Sequence, residues 1–406
     1  MGKYQPYLPL LLIVFIDATG IGILFPIMNT VIMSPHDSIL PLACSAQTRD
    51  LLYGLTIGSF FIAWFIGATY IAKISDGIGR KKCLFICLFG MFIGYGLTAV
   101  AIIFKNIAIL ILSRLIAGLT AGSQPVAQAA MIDISDKKNK TGNLGLIMFA
   151  FSLGMVSGPI ISAVFTNKAL SAWFSMNLPF YIVMALCVLT FFLLTSFQDP
   201  VQAKSRHFRF DIRDIYRQFA IIFTSRHLTR LSLAFFIMQF GMNTFYIFIS
   251  VFLYQKYRFS TFDNGINLFI MGLAMAISNI WLVPRFSSRF NPQILVIVCL
   301  FIMLISTALL LLNNSYLPYF VSAFFMLAFA LAYTNMLSLF SSSVSDQHQG
   351  WIMGITVSLF TLGSFLTSML TQALLNIDMN FPIFISMIAF IMAIFVLACR
   401  KGKESL

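Results

Sequence analysis

Among thirteen acidic residues in a chain of 406, only Asp17 falls in the middle of a long apolar run. A carboxylate at that depth is costly unless it is protonated, paired or turned towards a water-filled cavity. That makes Asp17 the candidate proton carrier, the plainer alternative being a carboxyl group that hydrogen-bonds a neighbouring helix. Arg114 is the one base at comparable depth, and a guanidinium keeps its charge. It must face a polar cavity or an acceptor, where it either assists a nearby acid, binds an anionic group, or serves as packing glue fixed to backbone carbonyls.

A second constellation lies in the run Ser75-Asp76-Gly77-Ile78-Gly79-Arg80-Lys81-Lys82. Topology alone explains its bases, but not an acid among them. Asp76 can meet the positive end of another helix, and Arg80 can pair with Asp133, so these residues can latch one conformation. Two glycine clusters accompany them. Asp17-Ala-Thr-Gly-Ile-Gly-Ile-Leu-Phe-Pro26 puts two glycines and a proline into one apolar run, and Gly154-x-x-x-Gly158-Pro159 ends in a residue that removes a backbone donor and kinks a helix.

These residues must be positioned by membrane-spanning helices. Hydrophobic residues make up 59% of the chain and charged residues 10%, against roughly 25% charged in a soluble domain. Apolar runs near 7–32, 51–74, 83–104, 107–130, 143–165, 173–195, 229–254, 265–284, 293–312, 316–340, 351–373 and 380–399 predict twelve spanning helices, the first of them retained rather than cleaved. Of the 26 lysines and arginines, only Arg49, Lys105, Lys168, Lys256 and Arg258 fall on one side, Arg114 lies within a span, and the rest share the other side. That asymmetry puts both termini in the cytoplasm. The net charge of +13 is dispersed over loops rather than gathered on one solvated face, which argues against nucleic acid.

The longest polar connection, 196–228, divides the chain into an N-terminal six-helix bundle (1–195), a cytoplasmic basic linker suited to anionic headgroups, and a C-terminal six-helix bundle (229–406). An internal repeat agrees. Ser135-Asp136 recurs as Ser345-Asp346, Gly145 and Gly154 recur as Gly354 and Gly363, and Gly118 and Gly122 become Ala328 and Ala332. The fold expected is therefore an all-α membrane protein of twelve helices in two pseudo-symmetric bundles, as transporters of this size commonly have.

The same residues resemble the major facilitator superfamily, and within it the drug:proton antiporters, closest to the tetracycline-type efflux proteins. Asp76-x-x-Gly79-Arg80-Lys81 is similar to the family's loop motif, Arg114-x-x-x-Gly118-x-x-x-Gly122 to its fourth-helix motif, Gly154-x-x-x-Gly158-Pro159 to the fifth-helix antiporter motif, and Asp17-Ala-x-Gly-Ile-Gly to the first helix of tetracycline-type exporters. The resemblance implies proton exchange at Asp17 assisted by Arg114. It also implies a cytoplasmic gate of Asp76, Gly79, Arg80, Lys81 and Asp133, and a rocking interface at Gly154, Gly158 and Pro159. The departures are Gly77 for the loop motif's usual arginine, Ala72 for its leading glycine, Ser162 for a later glycine, and a ninth span with no acid.

The function expected is proton-coupled antiport, exporting a drug-like amphiphile or metabolite by alternating access in a bacterial-type inner membrane. Gln124, Gln128, Gln239, Asn243, Tyr246 and Asn335 are candidates to line the substrate cavity. An exporter or importer of an anionic metabolite such as a carboxylate siderophore is the alternative. A channel or non-transporting receptor is the reading from another class. The four histidines lie in loops and no metal-ligand spacing occurs, so neither an intramembrane enzyme nor any metal or cofactor beyond the coupling proton is expected. The six cysteines show no disulfide framework, and the partners expected are a small molecule, protons and lipid, with the chain acting as a monomer. Reporter fusions after Leu406 check the topology: green fluorescent protein there is expected to fluoresce and alkaline phosphatase to be inactive, the reverse pattern refuting a cytoplasmic C-terminus.

Overall fold

The computed structural model describes residues 7–33, 38–136, 139–168, 170–199, 225–257, 261–312, 316–345, 348–375 and 380–398, with the isolated positions 220, 222–223, 314 and 378. Most of the linker expected at 196–228 therefore lies outside the described residues.

Helices follow one another through the described residues without a strand. They are α1 (Leu8–Met28, continued by a π turn, Asn29–Met33), α2 (Ala46–Ile78), α3 (Arg80–Ile103), α4 (Ile107–Thr120), α5 (Ser123–Asp133), α6 (Lys140–Phe165) and α7 (Leu178–Thr195). Then come α8 (Arg226–Tyr257), α9 (Thr261–Ile277, continued by a π turn, Ser278–Leu282), α10 (Val283–Ser287), α11 (Pro292–Leu309), α12 (Leu317–Ser342), α13 (Gln349–Leu375) and α14 (Phe381–Ala398). Among the described residues, ten segments are long and apolar enough to cross a membrane, with α4–α5 and α9–α10 each forming one of them. α1 and α8 cover the first and seventh apolar runs, which completes the twelve expected.

Hydrocarbon offers no hydrogen bonds, so every helix end and break must be satisfied within the chain. Asn106 begins α4 by accepting from the backbone N–H groups of Ala108 (2.9 Å) and Ile109 (3.1 Å), and Asn291 begins α11 by accepting from that of Gln293 (2.9 Å). The fourth apolar run is two helices rather than one because Pro125 lacks an N–H and its ring crowds the carbonyl four residues back, at Ala121. Pro284 acts likewise in the eighth run, where the helix widens into its π turn. Large apolar side chains such as Phe89, Phe192 and Phe395 stand exposed on the outer faces, a surface that acyl chains solvate and water does not.

The chain forms two compact units, one of Met1–Asp136, Phe149–Phe210 and Asp346–Thr361, the other of Lys137–Met148, Asp211–Ser345 and Leu362–Leu406. Helices α6 and α13 each contribute to both. In the first unit a Cβ added at Gly154 would meet the Ala18 Cβ at 2.6 Å and the Thr19 nitrogen at 2.9 Å, so α6 lies backbone to backbone on α1. There too, Gly354 of α13 lies 2.7 Å on the same measure from the Ala68 carbonyl and the Ala72 Cβ of α2. The second unit repeats the arrangement more loosely: Gly145 of α6 faces the Asn279 carbonyl (2.9 Å), and Gly363 of α13 faces Phe240 and Asn243 of α8 (3.7 Å). The glycine spacing of the sequence repeat is thus a spacing of helix contacts.

Gly118 sits against the Phe60 carbonyl of α2, with the Ala63 Cβ at 2.8 Å from an added Cβ, whereas one at Gly58 would meet nothing within 4 Å. Gly118→Val is expected to lose about 1–3 kcal/mol or more through overpacking, and Gly58→Ala to be neutral or to gain up to about 1 kcal/mol through helix propensity. Thermal unfolding in detergent, followed by size-exclusion chromatography, checks the contrast.

Candidate functional site

Three polar clusters stand out in the first unit, and they differ in how completely their charges are met.

The first lies where α2 turns into α3. Gly79 makes the turn at φ 98°, a region that favours glycine. Arg80 follows with its side chain only 1% exposed. Its Nη1 lies 2.6 Å from Asp76 Oδ1, its Nε lies 2.9 Å from Asp133 Oδ2, and Nη1 also donates to the Ser75 hydroxyl at 2.6 Å. Asp76 in turn accepts from the backbone N–H groups of Gly350 (3.1 Å) and Trp351 (3.0 Å), the first turn of α13. A carboxylate there meets donors that the helix itself leaves unpaired, and the positive end of its dipole. Glycine is required at 350, since an added Cβ would collide with the Arg80 guanidinium and lie 2.7 Å from the Ala72 carbonyl.

Asp199 plays the same part for α3, accepting from the backbone N–H groups of Arg80 (3.2 Å) and Lys81 (3.0 Å). The Lys81 ammonium donates to the Thr195 carbonyl at 2.5 Å. Two carboxylates thus each hold the start of a helix, with Arg80 neutralising the cluster between them. The structure brings together Asp76, Gly79, Arg80, Lys81 and Asp133 as the sequence pairs them. It adds Asp199, Gly350 and Trp351; Asp199 carried a signal as a single acid just after the sixth apolar run, and Gly350 as a glycine of the internal repeat that follows Ser345-Asp346.

The second cluster is on α1. Asp17 is 4% exposed; its Oδ2 accepts from the Ser123 hydroxyl, and its Oδ1 has no hydrogen-bond partner among the described residues. Ser123 is the first residue of α5, so the break that Pro125 enforces in the fourth span lies beside the hydroxyl that meets this carboxyl group. One turn along α1, the Gly20 position is closed over by the Tyr95 hydroxyl of α3. Arg114, 1% exposed on α4, donates to the Thr98 and Ser113 hydroxyls and has no carboxylate within ion-pair distance among the described residues. Nothing in the sequence pattern singles out Ser123, Thr98 or Tyr95.

The third is the seam between α1 and α6. Gly158 would place a Cβ 2.6 Å from the Thr19 carbonyl, Gly22 would place one 2.8 Å from Pro159 Cδ, and the Thr19 and Ser157 hydroxyls are 3.2 Å apart. Pro159 lies inside α6 with its ring exposed.

The candidate cavity residues divide between the units. Gln124 and Gln128 are buried on α5 in the first, and Gln239 and Asn243 on α8 and Asn335 on α12 in the second, with Tyr246 half-buried on α8. Among the described residues, neither amide atom of Gln239 has a hydrogen-bond partner, nor does Asn335 Oδ1. The two helices are stapled around these groups by Phe235 against Tyr333 (5.6 Å) and by Phe245 stacked on Phe325 (3.8 Å).

A family model described as the Major Facilitator Superfamily matches residues 10–368. The quinolone resistance protein NorA of Staphylococcus aureus is 22% identical over 377 residues, covering 92% of this chain and 90% of that protein. The class H tetracycline resistance protein of Pasteurella multocida is 23% identical over 353 residues, covering 86% and 84%. Among solved structures, the human organic anion transporter MFSD10 (TETRAN) matches with a TM-score of 0.80 at 20% identity, over 98% of this chain and 100% of that one, a likeness of fold.

Removing the Asp76 charge leaves Arg80 short of a buried partner, a change worth several kcal/mol. In a chain retaining Cys83 as its only cysteine, a thiol buried one turn after Arg80, Asp76→Asn is expected to raise N-ethylmaleimide labelling roughly tenfold, the equivalent of about 1.4 kcal/mol of opening. Unchanged labelling would show that this contact does not hold the cluster shut.

Proposed function

This chain belongs to the Major Facilitator Superfamily of transporters, and on that premise we propose that it is a proton-coupled antiporter exporting amphipathic organic molecules that carry an acidic group. Its relatives are transporters and drug-resistance proteins rather than enzymes. The observation that carries the proposal is Asp17, a carboxyl group buried on a spanning helix with one oxygen bonded only to a hydroxyl and the other to nothing described. A structural carboxylate in an apolar bundle is fully partnered. One left half-partnered is suited to gaining and losing a proton.

The rest follows from what moves when Asp17 changes charge. Helix α1 carries Asp17 and lies on α6 through Gly22, Gly154 and Gly158, where backbone, the Ala18 Cβ, the Pro159 ring and the Thr19–Ser157 hydroxyl pair meet. A shift of α1 is therefore transmitted to α6 directly. Asp76 holds the first turn of α13 on the side that the basic loops mark as cytoplasmic, and access from that side requires its release. Proton binding at Asp17 and release at the Asp76 latch are the two ends of an alternating-access cycle.

Arg114 favours an acidic substrate group over a cationic one. A buried guanidinium bonded, among the described residues, only to the neutral hydroxyls of Thr98 and Ser113 retains donors suited to a carboxylate or enolate. The named relatives, a quinolone resistance protein, a tetracycline resistance protein and an organic anion transporter, support that chemistry. An anionic metabolite fits the same group. Gln239 and Asn335, with unbonded amide atoms, suit the uncharged polar edge of such a molecule. The expected partners are the substrate, protons and the bilayer, and the expected working unit is the monomer.

Purified protein in liposomes with an interior pH dye tests the proposal against a fluoroquinolone, a tetracycline and a panel of carboxylate metabolites. Substrate-dependent proton flux is expected in the wild type and at least about a hundredfold less in Asp17→Asn. Equal flux in both would remove Asp17 as the carrier.

A further inference from the structure

One polar group near Asp17, the hydroxyl of Tyr95, has no role in the account above. The Tyr95 ring is 5% exposed and stacked on Phe180 at 6.4 Å. A buried phenol normally finds a partner for its O–H. The position of this one is specific: it occupies the space that a side chain at Gly20 would fill. Gly20 lies one turn after Asp17 on the same face of α1, so the phenol reaches from α3 to the face that carries the carboxyl group. On α3, Thr98 lies one turn beyond Tyr95, and Thr98 is the hydroxyl to which Arg114 donates. Tyr95 therefore links the α1 face that carries an acid with an unbonded oxygen to the stretch of α3 that meets a guanidinium whose described partners are all neutral hydroxyls.

We propose that Tyr95 is the positioning residue that couples the charge of Asp17 to Arg114, its hydroxyl changing partners while keeping its own proton. The proposal rests on the reading of Asp17 as the proton carrier. With Asp17 ionised, the phenol O–H donates to Oδ1 and the phenol oxygen accepts from Arg114, so one neutral hydroxyl bridges an acid and a base. When the carboxyl group takes a proton, its new O–H donates to the phenol oxygen in place of Arg114. The guanidinium then keeps the Thr98 and Ser113 hydroxyls to which it donates in this structure. No covalent bond forms or breaks in the phenol. The only proton gained or lost is that of Asp17, and the signal passed to α4 is the freeing or recapture of the guanidinium. Gly20 is needed because any larger residue there would displace the phenol.

The other titratable groups facing this cluster are Cys87 on α3, with Cys83 beside it, and Cys187 on α7. All three are buried thiols. Replacing them together by alanine controls for their contribution.

Infrared difference spectra between acidic and alkaline pH, recorded on purified protein in lipid without substrate, test the proposal independently of transport. The wild type is expected to show a protonated-carboxyl band that vanishes in Asp17→Asn, and a phenol C–O band that vanishes in Tyr95→Phe. The decisive expectation is that the phenol band also vanishes completely in Asp17→Asn, because the charge on Asp17 is what turns the hydroxyl. Tyr95→Phe keeps the ring on Phe180, so its carboxyl band is retained at a shifted frequency and reports a folded protein. A phenol band that persists in Asp17→Asn, or a carboxyl band with the same frequency in Tyr95→Phe, would overturn the role of Tyr95 while leaving Asp17 as the carrier. Absence of any carboxyl band assignable to Asp17 would overturn both readings together.

Discussion

Charge buried in a lipid-solvated bundle has to be met by groups of the same chain, and this chain meets it in two ways, one at Arg80 and another at Asp17 and Arg114. At Arg80 the accounting is complete: two carboxylates, a hydroxyl, and, beyond Asp76, the open N–H groups of a helix 274 residues away in sequence. Such a cluster is rigid because removing any member strands a charge. At Asp17 and Arg114 the acid and the base are each given hydroxyls and are not given each other. That arrangement is poor as a structural device and good as a responsive one, since small changes in protonation or ligand change which partners are best.

The backbone explains how these groups come to be where they are. Pro125 breaks the fourth span, and beside the break the Ser123 hydroxyl meets Asp17. Gly79 turns the chain between α2 and α3 so that Asp199 can reach the first two N–H groups of α3. Gly350 allows Arg80 and Asp76 to crowd the first turn of α13. Each residue does its work by lacking something: an N–H in the proline, a side chain in the glycines. In a membrane, where packing rather than apolar burial drives helix association, such omissions decide which helices meet.

Much of this was legible in the sequence and some was not, for identifiable reasons. Asp76, Arg80 and Asp133 were readable because an acid in a basic loop and an acid at a helix end have few uses besides each other. The glycines at 145 and 154, and their counterparts at 354 and 363, were readable because close helix packing repeats with a fixed spacing. Ser123 and Thr98 were not, because small hydroxyl residues are common in spanning helices and usually bond their own backbone, as Thr98 also does to Gly94 at 2.8 Å. Tyr95 was hidden among many aromatics, and only its approach to Gly20 sets it apart. The fourth span was expected as a single run because hydropathy is blind to the proline that divides it.

The central claim is that the half-partnered carboxyl group of Asp17 is what gains and loses the coupling proton, and the most direct measurement of it needs no membrane potential or transport. Detergent-purified protein in weakly buffered solution, mixed with a fluoroquinolone or tetracycline and followed with a pH indicator, is expected to release a proton for every molecule bound. Asp17→Asn is expected to bind with no release. Release of the same size from Asp17→Asn would contradict the account.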